Sequence, residues 1–158
     1  MDIGYFDPNC HLTPPLRSQR DRDGLRAALS DGTVDALCSD HTPVDEDAKQ
    51  LPFGEAESGA TGVELLLPLT LKWIEETRLP LIQGLARITS EPARILGVSA
   101  GVIKPGASAD LCVFDPARYW KIEPAALKSQ GKNTPFIGLE VPGKVRTTIV
   151  GGHVVHEG

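Results

Sequence analysis

Cysteine is scarce in this chain and badly spaced for structural work. Cys10, Cys38 and Cys112 are odd in number and form no CxxC pair, which excludes a disulfide framework and a zinc finger and fits a reducing cytoplasm. Banked positive charge is missing too. The 16 lysines and arginines are scattered among 21 acids, for a net charge of −5, so there is no footprint for a phosphate backbone or an anionic membrane. No nucleic-acid partner is expected. Every apolar run is broken by Pro or charge well short of a membrane span, and the first residues lack the basic, apolar, small-residue order of a secretory signal. The expected location is cytoplasmic, without membrane contact. No internal repeat or low-complexity segment occurs, and 158 residues leave room for one domain with a sizeable core, or for a piece of one.

What is present falls into two textures. "SQRDRDGLRAAL" predicts a short helix, with Ser18 as N-cap, Asp21 three residues on, Leu25, Ala28 and Leu29 at helical spacing, and "DGT" at 31–33 as its stop. "VDALCSD" at 34–40 reads as a buried strand. "TGVELLLPLTLKWIEE" predicts a capping box, Thr61 with Glu64, before an apolar buried helix kinked at Pro68, with Trp73 in the core. "LPLIQGLARI" and "TSEPARILG" continue as helices, the second with Ser90 as N-cap, Pro92 in its first turn and Gly97 just past its end. From Gly101 the texture changes. "GVIKPGASADLCVFDP" and "GKVRTTIVGGHVVHEG" are short β-branched runs with Pro-Gly and Gly-Gly turns, which predict antiparallel strands, and the polar "KSQGKNTPF" between them is a loop. The shift places a boundary near 97–101, dividing residues 1–97 from 98–158. One strand followed by helices cannot close a parallel sheet, so the chain reads as the end of something larger.

The stretch that carries chemistry is "CSDHTPVDEDAK" at 38–49. Asp40 ends the expected strand, and loops leaving the C-terminal ends of parallel strands build active sites. An acid before Thr and Pro also serves simply to cap a turn, and the residues alone leave both readings open. His41 follows directly. Neighbours leaving a strand point in opposite directions, so Asp40 and His41 do not share one ion, and His41 is expected to be a structural hydrogen-bonding residue. "DEDAK" lacks the glycine and spaced oxygens of a calcium loop and is expected to be solvated. His153 and His156 fall on opposite faces of a strand as surface residues. Arg17 and Arg20 are expected to be solvated beside Asp21 and Asp23 rather than to bind substrate.

"LTPPLRSQRDRDGLRAAL", "ALCSDHTPVDEDAKQLPF", "GVIKPGASADLCVFDP" and "GKNTPFIGLEVPGKVRTTIVGGHVV", in this order, resemble the C-terminal part of dihydroorotase, a cyclic amidohydrolase of pyrimidine biosynthesis. The resemblance covers nearly the whole chain, and PPLRS, SDHTP and KNTPF together are its specific part. It implies an α/β fold class: residues 1–97 as the last part of a (β/α)₈ barrel, and 98–158 as strands of a small β-sandwich. It implies a zinc site whose HxH pair and midway ligands lie outside this chain, with Asp40 as the acid that ligates the metal and acts as general base. The reaction implied is the reversible closure of carbamoyl aspartate to dihydroorotate.

Two positions depart from the pattern of active members. Where the family has an Asn before PPLR and a second His in DHAPH, both holding substrate, this chain has Thr13 and Val44. Ser58 and Gly59 stand where the family supplies main-chain contacts. Losing a charge-assisted hydrogen bond costs about 1.5 to 3 kcal/mol, so the substrate end of the pocket reads as eroded. The expectation is a dihydroorotase-type hydrolase, inactive as this chain alone and with weak or no zinc of its own. Its expected partner is an N-terminal barrel portion or a second copy. The alternatives are a non-catalytic dihydroorotase-like assembly partner of aspartate carbamoyltransferase, and a self-standing binding module.

Overall fold

The computed structural model describes residues 3–158. Helix α1, Gln19–Asp31, opens on the expected device: Ser18 Oγ accepts the Asp21 N–H at 3.3 Å, and the Asp21 carboxylate accepts the Ser18 N–H at 3.1 Å and its hydroxyl at 2.7 Å. Gly32 closes it in the left-handed conformation. Leu29 is the one residue of this helix that is fully withdrawn from solvent, and Leu25 stays exposed.

The expected strand at 34–40 is not formed. The segment runs without a ladder, and a single backbone bond, Leu37 N–H to Arg87 O at 2.9 Å, ties its middle to the helical part. The apolar pattern is that of a strand, but a strand exists only where another lies alongside, and the three strands among the described residues pair with one another.

A 3₁₀ turn, Val63–Leu65, leads into helix α2, Leu66–Thr77. Two expectations fail here. Thr61 and Glu64 do not form a capping box: Thr61 Oγ1 donates to Gly131 O at 2.7 Å, and the Glu64 carboxylate accepts the N–H groups of Lys128 and Ser129, each at 2.7 Å. Pro68 falls in the first turn of α2, where its missing N–H has no helical partner to lose, so nothing requires a kink. Helix α3 is Leu81–Ala86 and α4 is Ser90–Leu96. Thr89, rather than Ser90, holds the N-cap position of α4; Pro92 lies in its first turn and Gly97 ends it at φ 67°.

The second texture folds as predicted in kind. Strands β1, Leu111–Lys121, β2, Glu140–Val150, and β3, His153–Glu157, form an antiparallel sheet in the order β1-β2-β3. β2 and β3 are joined through Gly151 and Gly152 at φ 56° and 84°, the pair of positive angles a two-residue hairpin loop needs. Residues 101–110 carry the Pro-Gly turn and no strand. The expectation that His153 and His156 fall on opposite faces of a strand fails: a bulge at Val155 sets them opposite Val150 and Thr148, which share one face of β2, with His153 exposed and His156 half-buried.

Two apolar clusters hold these parts together. Leu29, Leu71, Trp73 and Ile74 form one, with Val34, Leu37, Leu85 and Phe114 against it; Leu65, Ile122, Leu127 and Val141 form the other, with Leu69, Trp120 and Phe136. Helix α2 contributes to both, so it is the element that fastens helices to sheet. Among the described residues no helix is long and apolar enough to cross a membrane.

Candidate functional site

Asp40 sits at φ 44°, a left-handed conformation that non-glycine residues adopt rarely and Asp more readily than most. The turn it makes is closed by Thr42, whose hydroxyl donates to the Asp40 carbonyl at 3.3 Å and whose N–H donates to Ala60 O at 2.9 Å. Among the described residues nothing donates to the Asp40 carboxylate, and the side chain is exposed. It borders a cleft of ≈ 370 Å³ whose opposite wall is the 58–62 segment.

Four of the five site residues expected from the sequence meet at this cleft: Thr13, Asp40, Ser58 and Gly59. Thr13 and Ser58, forty-five residues apart, are joined directly, Ser58 Oγ donating to Thr13 Oγ1 at 2.9 Å. Gly59 has φ 142°, and a Cβ there would lie 2.5 Å from Thr42 O, so only glycine lets the two walls approach. Its N–H donates to His11 O at 3.1 Å. Val44, the fifth, is buried behind Gly59 and faces a neighbouring cleft with Lys49 and Asn133.

His41 does what a structural histidine does. Its Nδ1 accepts the N–H of Gly62 at 3.1 Å and of Val63 at 3.3 Å, pinning the entrance to α2, and it is not among the residues that line the Asp40 cleft.

Three polar residues with distant partners escaped the sequence. Asn133 is buried and bonds both walls of the cleft through its carboxamide. Lys49, in the stretch expected to be solvated, is buried: its ammonium donates to Pro8 O at 3.1 Å and His11 O at 3.3 Å. Burial pulls its pKa below the usual lysine value, against the opposing pull of Glu57 and Asp7. Glu64, read as half of a helix cap, anchors the 128–129 backbone instead. Burial by itself pushes its carboxyl up, but the Lys128 and Ser129 N–H donors, with Lys132 nearby, hold it below the ordinary glutamate value. The KNTPF motif marked the neighbourhood of Asn133 without its role, and the partners of Lys49 are main-chain carbonyls, which no spacing announces.

A larger apolar cleft of ≈ 470 Å³ opens between α1 and α2, lined by Leu29, Leu37, Leu66, Leu69, Trp73 and Phe136. The charged groups on its lining include Arg26 and Glu76, which pair with each other, and Lys72, 3.7 Å from the same Glu76.

Amidohydrolase sequences as a family match residues 9–155 of this chain. The chain belongs to the amidohydrolase family. A dihydroorotase from Geobacter sp. (strain M21) is 43% identical over 152 residues, covering 96% of this chain and 36% of the relative. A dihydroorotase-like protein from Pseudomonas putida is 48% identical over 154 residues, covering 98% and 36%. The L-hydantoinase (dihydropyrimidinase) from Arthrobacter aurescens shares the fold at a TM-score of 0.88 and 30% identity, over 98% of this chain and 36% of its own. A dihydropyrimidinase from Brevibacillus agri does so at a TM-score of 0.89, 23% identity, and 99% and 37% coverage. This amidohydrolase chain thus spans about a third of the length of the curated relatives it matches, 36% in each of these two.

Zinc needs roughly four ligands, or three with an open position for water. Among the described residues no three His, Cys, Asp or Glu side chains come together, and the Nδ1 of His41 is already engaged. The described residues of this amidohydrolase chain do not by themselves fit zinc.

Proposed function

We propose that this chain is the part of a dihydroorotase-type cyclic amidohydrolase that carries the acid of the last barrel strand and the C-terminal strands of the sandwich, residues 1–97 and 98–158 respectively. The observation that carries this reading is the convergence of Thr13, Asp40, Ser58 and Gly59 on one cleft with the Asp40 carboxylate unpaired. A free carboxylate over a cleft is placed to take the proton of an attacking water and return it to the amide nitrogen that leaves as the dihydroorotate ring opens; closure of carbamoyl aspartate is the reverse. The Thr13 hydroxyl accepts from Ser58 and keeps its own proton for a substrate oxygen, and Val44, buried behind Gly59, adds no donor.

Turnover requires more than this chain. Zinc, if used, needs its other ligands from elsewhere, and so does the unpaired 34–40 segment need strands beside it. The apolar cleft between α1 and α2 and the exposed Ile82, Ile95, Leu96 and Ile103 support association with an N-terminal barrel portion or a second copy. The expected result is no opening of dihydroorotate above a buffer control with zinc added. Activity of the chain alone that disappears in Asp40→Ala would overturn the inactivity and leave Asp40's role standing. Activity that survives Asp40→Ala would overturn the role.

A second reading is favoured by one observation: the relative named dihydroorotase-like is more similar, at 48%, than the Geobacter dihydroorotase, at 43%. It is a non-catalytic subunit that assembles with aspartate carbamoyltransferase. Sedimentation of a mixture with that enzyme decides it, a stable joint boundary supporting assembly and independent boundaries rejecting it.

A further inference from the structure

Asn133 lies on the loop between β1 and β2, 8% exposed, and does not line the Asp40 cleft, yet it holds both of that cleft's walls. Its Oδ1 accepts the N–H of Val44 at 2.9 Å, four residues beyond Asp40. Its Nδ2 donates to Gly59 O at 3.0 Å, next to Ser58. The assignment of oxygen and nitrogen is fixed by the partners, since a backbone N–H only donates and a carbonyl only accepts. The main-chain oxygen of Asn133 accepts the Thr61 N–H at 2.7 Å, so the same residue holds the far wall twice.

The loop that carries Asn133 is itself anchored. Thr61 Oγ1 donates to Gly131 O, Glu64 accepts from Lys128 and Ser129, and Pro43 lies so close to Gly131 that a Cβ there would be 2.6 Å from it. Between the walls themselves the direct backbone bond is Thr42 N–H to Ala60 O. A planar carboxamide, with one acceptor and one donor at fixed separation, is suited to span Val44 and Gly59; a carboxylate would set an acceptor against the Gly59 carbonyl unless protonated, and an aliphatic side chain would leave both partners buried and unpaired.

We propose that Asn133 is a positioning residue for the candidate site: its carboxamide fixes the separation between the turn that carries Asp40 and the wall that carries Ser58 and Gly59. A loop of the sheet part thereby sets the width of a cleft built by other segments. The inference rests on reading that cleft as the substrate site, and its structural half is testable without substrate.

The decisive variant is N133D. Protonated, its side chain reproduces both bonds; ionised, it keeps the bond to Val44 and repels Gly59 O. The titratable groups around it, Asp45, Glu46, Lys49 and Lys132, are the same in every variant, so the unsubstituted chain at each pH is the control. Amide hydrogen exchange is followed from about pH 3 to about pH 8, on either side of carboxyl ionisation. At the acid end N133D should protect Thr42, Val44, Gly59 and Thr61 as the unsubstituted chain does. At the neutral end the protection of Thr42, Gly59 and Thr61 should fall by about tenfold or more, the equivalent of one lost buried hydrogen bond, while Val44, whose acceptor remains, and the β1 and β2 amides keep theirs. N133A should lose the same protection at every pH. Unchanged protection at Thr42 and Gly59 in ionised N133D overturns the proposal, and so does equal loss in cleft and sheet, which would make Asn133 a support of the whole fold. Dihydroorotate is the probe for the second half: absence of binding to the unsubstituted chain strikes the proposed function, while the exchange pattern still decides the clamp.

Discussion

The Nδ1 of His41 accepts the backbone N–H of Gly62 at 3.1 Å, with the N–H of Val63 at 3.3 Å on the same nitrogen. Both partners donate, so the ring proton resides on Nε2 and the nitrogen that faces the protein is occupied. His41→Ala should therefore lower stability by about 1 kcal/mol in urea melts, because two N–H groups at the entrance to α2 lose their acceptor. Zinc affinity, measured by calorimetry, should be weak before the substitution and the same after it. A tight site abolished by His41→Ala would make the imidazole a ligand.

Asp40 is held at a positive φ with no partner for its carboxylate among the described residues. Its identity therefore contributes little to the fold, and a residue free to adopt that φ should do as well. Asp40→Gly is expected to leave stability unchanged or to raise it by up to about 1 kcal/mol, whereas Asp40→Val, β-branched at the same angle, should lower it by about 1 to 2 kcal/mol. Thermal melts of the two variants side by side measure the difference. A Gly variant as unstable as the Val variant would mean that the carboxylate has a structural partner.

Two glycines test how α2 is packed. A Cβ at Gly84 would lie 2.1 Å from Ile74 Cγ1, and one at Gly143 would lie 2.2 Å from Leu71 Cδ1, where φ is also 88°. Gly84→Ala should lower stability by about 1 to 3 kcal/mol through overpacking. Gly143→Ala should exceed it by about 1 kcal/mol, because the backbone strain adds to the clash. Equal effects in denaturant titrations would show that the backbone strain at Gly143 adds nothing to its clash with Leu71.

Glu64 titrates with the fold. Its folded pKa lies below the unfolded value through the Lys128 and Ser129 N–H groups, which outweigh its burial. The stability it contributes is therefore present above the unfolded carboxyl range and is lost as pH falls through the folded value. Glu64→Gln, with one acceptor oxygen in place of two, should lower stability by about 1 to 2 kcal/mol at neutral pH, a figure reduced for partial exposure, and the gap should narrow in acid. A gap that stays constant down to about pH 3 would mean that the carboxylate charge is not what holds the 128–129 backbone.

Where the determining partner lay within a few residues, the sequence was enough. Ser18 found Asp21, Gly97 ended α4, and Gly151 with Gly152 turned β2 into β3, because each of these is a local backbone event. The burial of Leu29 and Trp73 followed from periodicity, since an apolar helix face is withdrawn from water whatever covers it. The order of motifs likewise placed the chain among the amidohydrolases. Tertiary structure decided the rest. Thr61 and Glu64 match a capping box in sequence, but backbone groups of the 128–131 loop, more than sixty residues away, compete for the same oxygens and win. Residues 34–40 carry a strand's pattern and form none, because an extended segment becomes a strand only by exchanging hydrogen bonds with a neighbour, and no strand of this sheet lies beside it. Lys49 and Asn133 are polar residues whose burial depends on distant main-chain partners, so their places behind the candidate site existed only once the chain had folded.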